Sequence, residues 1–335
     1  MDFNFLWVIA AFGGGIFGAA VGGLPAFVFT GIAAIVGGGL SAFAGDGGNF
    51  ANTVAWGPVL GPQIAFAGGV AAVAYAAKRG LHADGKDIGS ALMGLNRPDV
   101  LLVGGLFGAL GYLLWWGLAN LPMIGDLGAT NPIALSIVVN GMLVRYIFGK
   151  KGAFGKAPKG VNRWVASDAG AWLPWQNAPL QLLVFGLGVG LAVSWCATQF
   201  PALAGVWFGF AAVSLVFLHQ GSKAPVWHHP ALAAEQVILL GAVTGGTVSI
   251  WWGVTFAIFA TFLGDFYGHL VTAHADTFID PPSVTLFTTF TLMAILKTLG
   301  AFNTTDTVSL VIMVVVAAVC YGANVVLKGR KAATA

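Results

Sequence analysis

Long apolar runs, separated by short polar stretches, dominate the chain. An α-helix rises roughly 1.5 Å per residue, so about 20 apolar residues cross the hydrocarbon core of a bilayer. Transmembrane β-strands would instead show short segments that alternate between apolar and polar positions. The pattern therefore predicts an all-α polytopic integral membrane protein, with apolar spans near residues 4–22, 26–44, 60–78, 100–119, 130–148, 178–198, 203–219, 283–300 and 309–327.

The region 233–264 is too long for one ordinary span and short for two. It contains four glycines, so it predicts either two short helices or one span with a re-entrant piece: Gly241, Gly245, Gly246 and Gly253. Broken helices inside a membrane are tolerated where protein or a cavity covers the freed backbone. We therefore expect about ten or eleven transmembrane helices, some of them broken or re-entrant.

The composition agrees with membrane insertion. Hydrophobic residues make up 58% of the chain and charged residues only 8%, whereas soluble domains are about 45–50% apolar. The formal net charge of +3 does not indicate nucleic acid binding, because the basic residues lie in the loops. Cys196 and Cys320 fall inside apolar runs and predict two buried, reduced thiols. The expected partners are the lipid bilayer and either a homo-oligomer or a membrane complex.

The basic residues predict the orientation, because cytoplasmic loops carry an excess of Lys and Arg. They fall in three loops and a tail, the last holding Lys328, Arg330 and Lys331. All four segments are cytoplasmic if 233–264 crosses twice, which gives eleven spans with the N-terminus outside. A re-entrant hairpin within 4–44 would give ten spans and a cytoplasmic N-terminus. Both schemes place the C-terminus in the cytoplasm, and we expect a bacterial inner (cell) membrane.

The longest polar segment divides the chain. We predict an N-terminal membrane half (1–150), a cytoplasmic or interfacial linker (151–177) and a C-terminal membrane half (178–335). The linker contains RWVASDAGAWLPW, from Arg163 to Trp175. Tryptophan favours the membrane interface, so this stretch is predicted to be a surface helix or loop that joins the halves.

Two segments suggest internally repeated glycine-rich units. DVLLVGGLFGALGYLLWWGL begins at Asp99, and EQVILLGAVTGGTVSIWWGV begins at Glu235. Aligned without gaps, they pair Gly105 with Gly241 and both WWG triplets. This alignment predicts a helix break in Gly241–Gly253 and a matching geometry in Gly105–Gly117. A Gly-Asp pair follows at 125–126 and at 264–265, and each is succeeded by a proline at the start of the next span, Pro132 and Pro281. The alternative is that such pairs are ordinary features of helix ends and not a repeat.

Acids and histidines are concentrated between Phe262 and Pro282. This stretch holds five of them: Asp265, His269, His274, Asp276 and Asp280. Asp265 and His269 are four residues apart, which places them on one helix face. With His228 and His229 from a neighbouring loop they form a candidate site for a divalent metal. A proton relay and a hydrogen-bonded structural loop are the alternatives, and no HExxH or CxxC motif is present.

Five further residues are candidates for binding a solute or ion. Glu235 lies at a predicted helix start, where a carboxylate also complements the helix dipole. The tryptophan pairs would line a pore or pack at the interface, and they are Trp115, Trp116, Trp251 and Trp252. Asp265, His269, His274 and Asp276 complete the predicted set.

Signatures of catalysis are missing from the sequence. It contains no GxSxG, no P-loop and no GxGxxG after a strand, so we do not expect an enzyme. The sequence predicts a membrane transporter or channel for a small solute or ion, with its site between internal repeats. The alternatives are a membrane-embedded subunit of a larger complex, acting as an anchor or energy-coupling partner, and a membrane metalloenzyme.

Overall fold

The computed structural model describes residues 2–45, 50–244 and 246–329, and these residues form helices and no β-strand. This confirms the all-α class. The α-helices are α1 (Phe5–Val21), α2 (Gly23–Ala44), α3 (Ala67–Lys78), α4 (Pro98–Ala119), α5 (Pro132–Phe148), α6 (Pro179–Gln199), α7 (Val206–Val213), α8 (Leu215–His219), α9 (His228–Thr244), α10 (Ile250–Tyr267), α11 (Pro281–Thr298) and α12 (Asp306–Gly329).

Three π-helical turns adjoin these helices. Pro62–Phe66 leads into α3, Gly268–Thr272 extends α10, and Ala51–Ala55 follows α2. Such turns are rare and often lie at functional sites. The first two lengthen their helices without a break in the backbone.

Five helices of the described chain are long and apolar enough to cross a membrane. The mean hydropathy of their most apolar 18-residue windows lies between 1.4 and 2.6. These helices are Gly23–Ala44, Pro98–Ala119, Pro179–Gln199, Ile250–Thr272 and Asp306–Gly329. Shorter apolar helices cover Phe5–Val21, Pro132–Phe148 and Val206–His219. Only 11% of the most apolar window of the last long helix, α12, is buried. These features are consistent with a membrane protein.

Proline fixes where several helices begin. Helices α4, α5, α6 and α11 each start at a proline, whose missing N–H costs nothing in the first turn. The residue before α5 is Asn131, whose side chain accepts a hydrogen bond from Ala134 N at 2.9 Å. Asp280 caps α11 in the same way through Ser283 N, also at 2.9 Å.

The basic loops lie at one end of the helix bundle, which we call the basic end. Here Lys78 Nζ donates to Ile147 O at 2.6 Å, which brings the C-terminal ends of α3 and α5 together. Lys86 Nζ donates to the carbonyl oxygen of Ala273 at 3.3 Å. The loops after α3, α5 and α10 therefore meet at this end.

The other loops lie at the far end of the bundle, which we call the opposite end. Lys297 Nζ pairs with Asp126 Oδ2 at 2.6 Å, so the end of α11 lies beside the loop after α4. Asn4 N donates to the hydroxyl of Tyr112 at 2.9 Å, which places the start of α1 beside the end of α4. With α7 and α8 counted as one segment, the helices run in alternating directions between the two ends.

The packing of the first five helices has a counterpart in the second part of the chain. Helix α4 packs against α1, α3 and α5, and α10 packs against α6, α9 and α11. The two groups are joined where α2 packs against α7 and where α5 packs against α11. Helix α12 lies outside this scheme and packs mainly against α10.

Glycines allow the closest helix contacts. A β-carbon at Gly15 would overlap the carbonyl oxygen of Gly104, and one at Gly18 would overlap that of Ala65. A small residue at such a position lets two backbones approach closely. Helix α1 therefore lies directly on α4 and on the π-helical turn that leads into α3.

The predicted break between Gly241 and Gly253 is present. Helix α9 ends at Thr244 and α10 begins at Ile250, with Trp251 just inside the new helix. Gly245 lies outside the described residues, as do Arg330 and Lys331 of the basic tail. The predicted counterpart is wrong, because Gly105–Gly117 lies within the uninterrupted helix α4. One continuous helix cannot match two helices and the break between them.

The linker is a loop that folds onto the basic end. Its only regular element in the described chain is the short turn Pro174–Gln176. Trp172 packs on Gly268, where a β-carbon would collide with the indole ring. Trp175 Nε1 donates to Ala224 O at 2.9 Å. Cys196 and Cys320 are unpaired thiols, as expected, but both are only partly buried.

Candidate functional site

Two cavities lie between the helices that join the two groups. The larger, of about 340 Å³, lies toward the opposite end and is bordered by α2, α5, α7, α9 and α11. Its polar lining includes Ser41, Asn52, Asn131, Gln236 and Ser283. The smaller, of about 240 Å³, lies toward the basic end beneath the linker. Its lining is mainly apolar and includes Leu24, Phe66, Trp172, Trp175, Leu218 and Phe278.

Three residues line both cavities. They are Phe27 of α2, His228 at the start of α9, and Asp280 just before α11. They come from separate parts of the sequence and form the boundary between the cavities. A side chain that moves at this boundary would affect both cavities at once.

Asp280 is held by the start of its own helix. Its Oδ2 accepts hydrogen bonds from Ser283 N at 2.9 Å and Ser283 Oγ at 2.5 Å. Its Oδ1 has no donor among the described residues. One carboxylate oxygen is thus held by the helix start, and the other is available to a partner in the cavities.

His228 and His229 face different parts of the protein. The His228 ring lies 4.9 Å from the ring of Phe27, centre to centre, and its Nδ1 has no hydrogen-bond partner in the described chain. The His229 ring packs instead on Gly264 of α10, where a β-carbon would collide with it. Only His228 lines the two cavities.

Asp265 and His269 come together, as their spacing predicts, within a buried polar network. Asp265 accepts hydrogen bonds from Asn177 Nδ2 at 2.8 Å and from Asn324 Nδ2 at 2.9 Å, and it pairs with Lys328 Nζ at 2.8 Å. His269 Nε2 lies 3.6 Å from Asp265 Oδ1. Neither residue lines the two cavities. The network joins α10 to α12 and to the linker, and its binding of a solute stays a prediction.

His274 and Asp276 lie apart from this network. The His274 ring is 2% exposed and packs against Gly170 of the linker, with no hydrogen-bond partner for either ring nitrogen among the described residues. Asp276 Oδ2 accepts a hydrogen bond from Lys150 N at 2.7 Å at the basic end. The predicted cluster is therefore divided among separate surroundings.

Glu235 lies deeper in its helix than the sequence predicts. Helix α9 begins at His228, with Pro230 in its first turn, so Glu235 is about two turns from the start. Its side chain is buried, and Oε1 accepts a hydrogen bond from Gly205 N at 3.0 Å. Its Oε2 has no partner in the described part of the chain. The carboxylate therefore holds the α6–α7 connection, and the neighbouring Gln236 lines the larger cavity.

The predicted tryptophans pack away from the cavities. Trp115 stacks on Trp7 at 5.9 Å between ring centres, and Trp116 meets Phe3 edge to face. Trp252 Nε1 donates to Thr304 Oγ1 at 2.9 Å. Neither cavity is lined by Trp115, Trp116, Trp251 or Trp252.

The four residues of the predicted metal site do not form one group. No set of three His, Cys, Asp or Glu side chains converges on a metal position in the residues that the structure describes. His228 faces the cavities and His229 faces α10. Asp265 and His269 both lie within hydrogen-bonding distance of Asn177 Nδ2, and Asp265 also pairs with Lys328. A bound divalent metal stays a prediction without a matching group of ligands.

The comparison with protein families gives the same result for both parts of the chain. The model of a family of unknown function, DUF7973, matches residues 1–165 and again residues 151–311. The chain belongs to the DUF7973 family. No curated protein and no solved structure matches it.

Asp280 of this DUF7973 chain lies in the polar stretch of the sequence but is not among the predicted site residues. Its Asp-Pro-Pro context is the ordinary pattern of a helix start. Asn131-Pro132, at the start of α5, offers the same pattern, and Asn131 also lines the larger cavity. An acid that caps a helix in a mostly apolar region was the available signal.

Proposed function

We propose that the protein is a membrane transporter or channel for a small solute or ion, and that the pathway runs through the two central cavities. One observation carries the proposal: cavities toward opposite ends of an apolar helical bundle share Phe27, His228 and Asp280. The larger cavity is at the lower end of the roughly 300–1,000 Å³ typical of small-molecule sites. Ionisable groups within a membrane bundle are costly and usually functional.

The proposed topology has eleven spans, with α7 and α8 forming one of them. The basic end is cytoplasmic in this scheme, because Lys78, Lys86, Lys150 and Lys151 lie there. The N-terminus is then outside and the C-terminus inside. The alternating helix directions support this arrangement.

We propose further that α1–α5 and α6–α11 are duplicated units of inverted topology. The double match to one family model and the equivalent packing of α4 and α10 support a duplication. Five crossings in the first unit reverse the direction of the second. The α2–α7 and α5–α11 contacts then form the repeat interface, where transporters of this plan bind their solutes.

Reconstitution into liposomes tests the proposed function. We expect uptake of at least one member of a panel of small solutes and ions. Asp280→Asn at the cavity boundary should lower that uptake at least tenfold. The control is Asp126→Asn, which changes an acid outside both cavities and should keep the uptake of the unaltered protein. Vesicles that stay tight to the whole panel, or uptake unchanged by Asp280→Asn, would contradict the proposal.

The exposed face of α12 favours a second candidate, a membrane subunit of a larger complex. Its exposed apolar residues include Val308, Val311, Val314 and Val315, a surface suited to lipid or another helix. This function demands partner chains in fixed proportion after purification from native membranes. Recovery of the chain alone, or as a homo-oligomer, would contradict it.

A further inference from the structure

Aromatic rings surround the smaller cavity. Five of them line it: Phe27, Phe66, Trp172, Trp175 and Phe278. The ring centres of Phe27 and Phe66 are 5.7 Å apart, and that of Phe278 is 6.2 Å from Phe66 and 6.3 Å from Trp172. Four of the rings, those of Phe27, Phe66, Phe278 and Trp172, therefore form a connected wall. Faces of aromatic rings carry negative potential and attract cations.

The charge of the lining has a single sign. Asp280 is the one Asp, Glu, Lys or Arg among the described residues that line either cavity. Its free Oδ1 has no donor in the described structure, while Oδ2 is held by Ser283. A carboxylate in a low-dielectric cavity attracts a cation and repels an anion.

Two helix starts near the cavities, those of α5 and α11, offer an anion fewer donors than usual. Helices α5 and α11 begin with Pro132 and Pro281, which lack an N–H. Asn131 and Asp280 already accept the N–H of Ala134 and Ser283 in those first turns. At these two helix starts, the backbone N–H groups that bind anions are therefore missing or already hydrogen-bonded.

From these observations we propose that the boundary between the two cavities binds an organic cation, an ammonium group whose charge faces Asp280 and whose apolar substituents lie against the aromatic wall of the smaller cavity. This deepens the proposed function and rests on it for the role of the cavity in transport. The apolar wall removes the substituents from water, and the carboxylate compensates the charge. Aromatic cages of this kind are a known solution for quaternary ammonium groups.

The proposal requires a pH dependence of a defined sign. Cation binding stabilises the ionised form of Asp280, so protons compete with the cation for this carboxylate. Affinity should therefore fall as the pH is lowered through the range in which Asp280 takes up a proton, and be constant above that range. His228 of α9 is the other titratable residue that lines both cavities, and a positive charge on its ring would weaken cation binding in the same direction. Arg145 of α5 does not pair with Asp280 in the described structure, because its N–H groups donate hydrogen bonds to Thr277, Val271 and Ala153.

Calorimetric titration of the purified full chain in detergent tests the proposal. The probes are choline and 3,3-dimethylbutan-1-ol, a neutral molecule of the same shape. We expect choline to bind at least tenfold more tightly. Asp280→Asn should abolish this preference while keeping the helix cap, since asparagine also caps helices. Trp172→Leu should weaken choline binding about fivefold or more, and Asp126→Asn should leave it unchanged.

Equal binding of the two probes would overturn the proposal, as would choline affinity unaffected by Asp280→Asn in a folded protein. Folding of each variant is checked by its thermal transition, and Trp172→Phe keeps the ring if Trp172→Leu does not fold. Choline binding without flux in liposomes would support the cation site and contradict the proposed transport. Flux of neutral or anionic solutes without choline binding would support the proposed transport and contradict the cation site.

Discussion

Two glycines of α1 differ sharply in their surroundings although both lie on the same apolar helix. Gly18 contacts the backbone of Ala65, so an added β-carbon would overlap it, whereas Gly13 has open space around it. Local sequence does not distinguish the two positions. The difference shows that a glycine matters here through the backbone that faces it.

We predict that Gly18→Ala lowers the free energy of unfolding by about 1–3 kcal/mol, the usual cost of overpacking. Gly13→Ala should be neutral or stabilising, because alanine forms helix better than glycine by up to about 1 kcal/mol. Thermal denaturation of both variants in the same detergent measures the difference. Similar transitions for the two variants would mean that α1 does not lie directly on Ala65.

Glu235 carries a second prediction for a single residue. Glu235→Ala removes the acceptor of Gly205 N and should destabilise by about 1–3 kcal/mol, the cost of an unsatisfied buried group. Glu235→Gln keeps an acceptor oxygen and should be close to neutral in stability. Unfolding measurements on both variants provide the test. A strong loss of transport by a stable Glu235→Gln would instead favour the predicted binding of a solute or ion.

Among the helices, α12 depends on few buried contacts with the rest of the protein. Its inner side meets α10 and α6, and its end is fixed where Asn324 and Lys328 reach Asp265. Lys328 also donates to the carbonyl oxygen of Asn177 in the linker. One polar network therefore connects two helices with the segment between the halves.

We predict that Asp265→Ala loosens α12, because removing one partner of a buried ion pair costs about 3–5 kcal/mol. Limited proteolysis should then cut the C-terminal region faster, and the thermal transition should fall. The control, Asp126→Ala, removes the exposed partner of Lys297 and should change neither measurement, since surface pairs contribute little. The Asp265→Ala, His269→Ala double variant separates the alternatives for this site: lost transport in a stable, well-expressed protein would support the predicted functional role.

Across the whole molecule, the two ends differ in charge and in the loops they gather. Lys150 lies at the basic end beside Asp276, and Lys297 lies at the opposite end beside Asp126. If the bundle spans a membrane, these lysines are on different sides. The proposed orientation places Lys150 in the cytoplasm.

Single cysteines at these two positions test the orientation. In a background of Cys196→Ala and Cys320→Ala, we expect a membrane-impermeant thiol reagent to label Lys297→Cys on intact cells. Lys150→Cys should react only after the cells are opened. Labelling of both positions from outside would contradict the eleven-span topology. Labelling of Lys150→Cys alone on intact cells would mean that the protein has the reverse orientation in the membrane.

Much of the fold followed from local features of the sequence. Apolar runs of sufficient length predicted the helices, and the glycines near residue 245 predicted the interruption between α9 and α10. Proline before or at the first turn predicted the starts of α5 and α11. The four-residue spacing of Asp265 and His269 predicted their proximity. These results depend on backbone geometry and on the removal of apolar surface from water, which are readable from a short window of sequence.

The tertiary structure alone brought Phe27, His228 and Asp280 together and separated His228 from His229. It also showed that α4 and α10 correspond in the helices they pack against, whereas the aligned WWG segments differ in backbone structure. Asp265 obtained the partners Asn177 and Lys328 in the same way. Such contacts join residues far apart in the chain. Burial of apolar surface favours every compact arrangement alike, because it has no direction. Which arrangement forms depends on the fit between helix faces, and that fit exists only once the helices are assembled.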